Sequence, residues 1–302
     1  MNKGYVMPSK DLLIKNSERD DLDDRYYRLS KLLFKKDLND KLLVPIGIDD
    51  KKEKYFVNLN DISLMLIGGE TGSGKSVLID SIIISLLLKN SSDDLRFVFI
   101  DPKKIELFEY DGIPHMVDSG FDTDELSHII DSGLDTEDWK RKIVLIKEMI
   151  DKRIELLSGV RVSNIRKYND ISNDKLAQVV IVIEEAYDMI HDKEFIELVR
   201  CIGSVGVNIG VHLIMSTNMC VKSEFDKELF SLFGYVLSFD LSNSEQSRYM
   251  NLKGAEFLKV CGEAMIKVRG KGVVRIQAPY ISDKEIKNVV EFIKNENDAV
   301  NV

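Results

Sequence analysis

No stretch of this sequence stays apolar long enough to cross a bilayer. The longest such run, Val77 to Leu88, is interrupted by Asp80, Ser81 and Ser85 and falls short of the roughly 20 residues a spanning helix needs. The opening residues Met1 to Pro8 lack the apolar core of a secretory leader, so no export signal is expected. Cysteine is scarce: Cys201, Cys220 and Cys261 are far apart, with no C-x-x-C spacing. That excludes a disulfide scaffold and fits a reducing, cytoplasmic setting. The four histidines show no metal-ligand spacing, and the single tryptophan, Trp139, makes no stacking platform for single strands. Positive charge is also in deficit, with a net charge of -9, which by itself argues against a nucleic-acid partner. Internal repeats and low-complexity tracts are missing too.

What is present is an ordinary globular composition, 44% hydrophobic and 31% charged over 302 residues. That rules out disorder for most of the chain and allows one large α/β domain or two smaller ones. Residues 1–45 are dense in charge, with Leu22, Tyr26, Leu29, Leu32 and Leu33 at helical spacing. Pro45 and Gly47 punctuate the join to a second unit, 46–296, followed by a short tail, 297–302. Within the second unit, Leu64 to Ile67, Phe97 to Ile100, Val179 to Ile183 and Val211 to Met215 read as buried strands. Tyr235 to Phe239 is expected as a fifth strand, with a late pair at Ala264 to Val268 and Val273 to Gln277. Helical stretches, notably Ser76 to Lys89 and Lys140 to Leu157, lie between strands. Such alternation predicts an α/β fold with a mostly parallel central sheet and helices on both faces.

Gly69-Glu70-Thr71-Gly72-Ser73-Gly74-Lys75-Ser76 fits G-x-x-x-x-G-K-[ST], between a strand and an apolar helix that continues through Val77. The glycines let backbone N–H groups turn inward around phosphate, and the helix N-terminus adds partial positive charge. In this motif Lys75 is expected to reach the β- and γ-phosphates of ATP and the Ser76 hydroxyl to ligate Mg2+.

The strand Val179 to Ile183 ends in Glu184 and Glu185. It is expected beside the P-loop, with Glu184 holding magnesium and Glu185 serving as general base. Asn218, after the fourth strand, is placed to sense the γ-phosphate or position the attacking water.

Two further motifs, Asp101-Pro102-Lys103 and Gly112-Ile113-Pro114-His115, are more specific than the P-loop. After them come Ser158-Gly159-Val160-Arg161, Gly210-Val211-His212, Ser247-Arg248 and Pro279 to Ile286. In order and without large gaps, this series resembles the motor domain of the FtsK/SpoIIIE family of hexameric double-stranded DNA translocases, over about residues 45 to 296. The resemblance implies a RecA-like P-loop ATPase that forms a ring and moves along DNA. The family's membrane spans and its C-terminal winged helix are not expected in this chain. The family's Asp-Glu pair is here Glu184-Glu185, its Thr-Gln-Arg-Pro is Thr217-Asn218-Met219-Cys220, and an arginine upstream of Gly210 is replaced by Val207.

A ring that hydrolyses ATP between subunits needs a cation from the neighbouring subunit. The family's basic pair falls on Arg153, with Lys152 competing because the local match needs a one-residue gap. Lys140 to Lys167 is rich in lysine and arginine. The resemblance places its Gly-Val-Arg loop in the pore, so Arg161, Arg166 and Lys167 are expected on DNA phosphates. Lys267, Arg269, Lys271 and Arg275 form a second basic cluster that suits either DNA or a subunit contact. Two other functions fit the same residues: a weakly hydrolysing ATP-binding assembly module, or the coupling ATPase of a secretion or conjugation channel.

Overall fold

The computed structural model describes residues 5–13, 27–33, 40–103, 106–117, 138–219, 227–268 and 270–298. The first elements are β1 (Tyr27–Arg28), α1 (Leu29–Leu33), β2 (Leu43–Ile48) and β3 (Lys54–Asn58). Next come β4 (Leu64–Gly68), α2 (Lys75–Leu87), β5 (Leu95–Ile100), α3 (Asp138–Gly159) and α4 (Ile165–Ile171). They are followed by β6 (Gln178–Ile183), α5 (Lys193–Ile209), β7 (Val211–Thr217), α6 (Lys227–Ser231) and β8 (Tyr235–Ser238). The last are α7 (Ser244–Tyr249), β9 (Glu263–Val268), β10 (Gly272–Gln277), β11 (Pro279–Tyr280) and α8 (Asp283–Asp298).

Nine strands form one sheet in the order β3-β2-β10-β9-β8-β4-β7-β6-β5. The segment from β8 to β5 is parallel, as the continuous apolar runs require: β4 and β7 are buried at every residue. Beyond β8 the sheet continues as antiparallel strands. There β3 alternates buried and half-buried residues, the pattern of a strand covered on one face.

Within the parallel segment β7 pairs with both β4 and β6, so one strand lies between the P-loop strand and the strand that ends in the acids. One expectation changes. The expected division between residues 45 and 46 falls inside β2, whose register with β3 shifts between Pro45 and Gly47. A proline without an N–H and a glycine can occupy such a bulge without ending the strand. The N-terminal segment also packs into the same body. Tyr27 and Arg28 pair with β11, and Leu13, Leu29 and Leu33 join the core under α2. Leu22 and Tyr26 lie outside the described residues.

Each face of the sheet carries its own core. One gathers α2 and α8, through residues such as Leu78, Ile82, Val289 and Ile293. The other gathers α3 and α5, through Ile146, Ile150, Leu198 and Ile202. Inward residues on α3 recur at Ile143, Ile146, Met149, Ile150, Arg153 and Leu157, one face of a 3.6-residue repeat. Among the described residues, no helix is long and apolar enough to cross a membrane.

Candidate functional site

The ends of β4, β7 and β6 lie at one edge of the parallel segment, the usual place for a ligand crevice in such sheets. Backbone bonds anchor the P-loop there: Gly69 N–H donates to Thr217 O at 3.2 Å and Glu70 N–H to Asp240 O at 2.8 Å. Gly69, Gly72 and Gly74 all have positive φ. Gly74 has a second reason to be glycine. A Cβ there would lie 3.2 Å from Gly262 Cα and 3.2 Å from the Phe239 ring. Gly262 N–H in turn donates to Ser73 O at 3.0 Å, so the turn before β9 braces the loop. Cys261, next to it, is exposed with its thiol 3.5 Å from Gly72 O.

Lys75 is buried, and its ammonium donates to Gly69 O at 2.9 Å and Glu70 O at 3.0 Å. Burial lowers its pKa, while Glu184, Glu185 and Glu70 act in the opposite direction. Ser76 and Val77 follow in the first turn of α2, both half-buried.

Glu184 is 1% exposed and Glu185 half-buried, so the adjacent acids occupy different environments. Burial pushes the Glu184 carboxyl up to about 8, opposed by a hydrogen bond from Ser216. Its Oε2 accepts that bond from Ser216 Oγ, and its Oε1 is buried with no hydrogen-bond partner among the described residues. Glu185 sits in the left-handed region at φ 49, its N–H donates to Ser216 Oγ at 2.9 Å, and its carboxylate pairs with Lys103. The Lys103 loop is organised by Asp101, whose carboxylate accepts the N–H groups of Lys103, Glu106 and Leu107. Behind Lys75 on α2, Asp80 accepts a hydrogen bond from Tyr110 at 2.8 Å. Burial pushes Asp80 up to about 7, Tyr110 lowers it, and Glu106 raises it further.

The P-loop, Glu184, Glu185 and Asn218 therefore meet at one edge, with half-buried Asn218 directly after β7. Among the described residues no three His, Cys, Asp or Glu side chains form a metal cluster. Glu184, with an orphaned buried oxygen, and Ser76 still fit a magnesium ion whose other ligands are phosphate and water.

Arg153 does not belong to this site. It is 4% exposed, and its guanidinium donates to Ile209 O at 2.7 Å, Ala177 O at 2.7 Å and Gly210 O at 3.3 Å. It caps the C-terminus of α5, where carbonyls lack intrahelical partners and cations are favoured. A side chain so enclosed cannot reach a neighbouring subunit, and that correction leaves Lys152, the exposed residue beside it on α3.

Arg161, Arg166 and Lys167 are exposed and lie at the other edge of the sheet. Ile165 approaches Gly210, at the start of β7, so the 158–167 loop sits where the parallel strands begin. Arg161 has φ 57, and Asn164 caps α4 by accepting Lys167 N–H at 3.0 Å. In the second basic cluster, Arg275 pairs with Glu263 and Lys271 with Glu53, while Arg269 lies outside the described residues. His212 is a packed interior residue, bonded to Ile62 O at 3.0 Å and Gln178 Oε1 at 3.2 Å.

Ser216, Lys103 and Gly262 are the site residues that sequence reasoning did not single out. The Asp-Pro-Lys motif was a signal for Lys103. A serine near a strand end carries none.

A profile of the FtsK/SpoIIIE family matches residues 33–256. A DNA translocase FtsK of Campylobacter jejuni is 28% identical over 308 aligned residues, covering 97% of this chain and 31% of the relative. The chain thus spans about a third of that curated relative. Among solved structures, the cytoplasmic domain of the Thermomonospora curvata type VII secretion ATPase EccC matches with a TM-score of 0.73 at 20% identity, over 96% of this chain and 35% of that one. The pCW3 conjugation coupling protein TcpA, with ATPγS, matches at 0.65 and 19% identity, over 89% of this chain and 75% of that one.

Proposed function

The chain belongs to the FtsK/SpoIIIE family, and from that membership we propose that it is the ATP-hydrolysing motor of a double-stranded DNA translocase. One observation carries the reading: Lys75, Glu184, Glu185 and Asn218 converge at the edge where the P-loop leaves the sheet. We assign the motor to the span from β2 to α8.

In this reading Gly69 to Val77 wrap the phosphates of ATP. Lys75 leaves its two carbonyl partners for the β- and γ-phosphates, and Ser76 with Glu184 holds magnesium. Magnesium, when bound, neutralises phosphate charge. Glu185 takes the proton of the attacking water, and Asn218 orients that water or senses the γ-phosphate. Lys152 replaces Arg153 as the cation offered across a subunit boundary. Arg161, Arg166 and Lys167 contact DNA phosphates in the pore of a ring, a hexamer by family resemblance, reading charge rather than sequence. Cys201 and Cys261 are free thiols, which suits a cytoplasmic setting.

The slow-hydrolysis alternative has one observation on its side, since Lys103 holds the Glu185 carboxylate in an ion pair. ATPase assays at low salt, with and without linear duplex DNA, separate the readings. Duplex should stimulate hydrolysis, and Lys75→Ala and Glu185→Ala should each abolish it. Hydrolysis that ignores DNA and survives Glu185→Ala contradicts the motor reading. Stimulation by polypeptide instead of DNA favours a channel-coupling ATPase.

A further inference from the structure

We propose that Ser216 is a positioning residue whose one hydroxyl ties together the two acids of the ATP site. The inference rests on the reading of Glu184 and Glu185 given above. It concerns a residue that none of the site's motifs contains.

Ser216 is fully buried on β7, the strand inserted between the P-loop strand and the acid-bearing strand. Its partner in β4 is Ile67, and the preceding residue, Met215, is paired with Ile183. Ser216 therefore stands one step beyond the last rung shared with β6, level with the acids. A serine hydroxyl has one hydrogen to donate and lone pairs to accept. Here the hydrogen goes to Glu184 Oε2, and a lone pair receives Glu185 N–H at 2.9 Å. The two bonds fix the direction of the hydroxyl and, with it, the relative placement of the acids.

Both acids have reason to need this. Glu184 is enclosed, and its other oxygen has no partner among the described residues, so Ser216 is what orients the carboxylate. Glu185 holds φ 49 and ψ 60, a conformation disfavoured for a residue with a Cβ. An acceptor at its N–H helps to keep it there. That backbone turn in turn sets where the Glu185 carboxylate points. Among the described residues the hydrogen bonds of the Ser216 hydroxyl go to Glu184 and Glu185, whereas Lys75 bonds to the Gly69 and Glu70 carbonyls and the loop backbone is anchored on the Thr217 and Asp240 carbonyls. Losing the hydroxyl should therefore disturb turnover and spare nucleotide binding.

The test is Ser216→Ala, with Ser216→Cys as a near-isosteric variant that keeps a weaker donor. The readouts are steady-state ATPase with duplex DNA, equilibrium binding of a fluorescent ATP analogue, and thermal melting. Ser216→Ala should lower kcat about ten- to hundredfold, the scale of one lost hydrogen bond to a charged group. Analogue affinity should stay within about twofold of wild type, and Ser216→Cys should give an intermediate kcat. An unchanged kcat overturns the inference, as does a loss of affinity that matches the loss of turnover. If Ser216→Ala does not fold, Ser216→Cys decides alone, and wild-type turnover in it overturns the inference. A wild-type protein without hydrolysis would overturn the functional reading and this inference with it. Wild-type turnover that Ser216→Ala leaves intact overturns the inference only.

Discussion

Replacing Arg153 by methionine separates a helix cap from a residue that acts across a subunit boundary. Two short bonds, to Ile209 O and Ala177 O at 2.7 Å each, and a longer one to Gly210 O at 3.3 Å would be lost. Hydrogen bonds from a charged donor contribute about 1.5–3 kcal/mol each, and each buried carbonyl left without a partner costs about 1–3 kcal/mol. An offset comes from the guanidinium itself, whose pKa burial has pushed down to about 10. Relief of that penalty returns roughly 3 kcal/mol. The Gly210 carbonyl also keeps its bond from Val179 N–H at 2.8 Å. The balance is a net loss of about 3–5 kcal/mol, the range found when one partner of a buried charged arrangement is removed. Urea denaturation without nucleotide or DNA reads it, as a lower midpoint with an unchanged slope. A midpoint that does not move, combined with loss of DNA-stimulated hydrolysis, would refute the reasoning and return Arg153 to the subunit interface.

Glu184→Gln tests the buried acid through pH. The folded-state pKa of about 8 stands above the ordinary glutamate value of 4.5, so the folded protein binds more protons than the unfolded chain between those values. Stability therefore falls as pH rises through that window, by at most about 5 kcal/mol for a shift of that size. The glutamine variant lacks this term, and its melting temperature should exceed that of wild type at pH 8.5 by more than at pH 5. Equal pH profiles would contradict the burial of an ionisable acid. Changing Arg161 and Lys167 to glutamate should weaken duplex binding uniformly across sequences. If both touch phosphates, it should lower the slope of log affinity against log salt by about 2. An unchanged slope would remove the 158–167 loop from the DNA path.

Local chemistry was far easier to read from the sequence than neighbourhood. The P-loop declares itself because its glycines, its lysine and the flanking strand and helix are contiguous. The apolar strands β4, β6 and β7 declare themselves because burial on both faces leaves no room for polar alternation. The order of those strands carries no such mark, and so the insertion of β7 between β4 and β6 was not foreseen. With β7 came Ser216, a hydroxyl whose importance depends wholly on what it faces. Pro45 and Gly47 read as a boundary, yet they form a bulge within β2. Arg153 had a legible signal that its charge obscured. It lies four residues after Met149 and four before Leu157, on the buried stripe of α3, and the spacing outweighed the usual preference of arginine for water. Net charge hides a division for a similar reason. A value of -9 averages over an exposed basic loop at one edge of the sheet and an acid-rich site at the other.

Translocation itself is the step that the proposed function requires and hydrolysis alone does not demonstrate. A labelled third strand annealed to linear duplex DNA reports it, since a motor that advances along the duplex strips the third strand away. Wild-type protein should displace it only with hydrolysable ATP, on duplexes of unrelated sequence, and Glu185→Ala should not displace it at all. DNA-stimulated hydrolysis that leaves the third strand in place would contradict a translocase and leave an ATPase that binds DNA without moving along it.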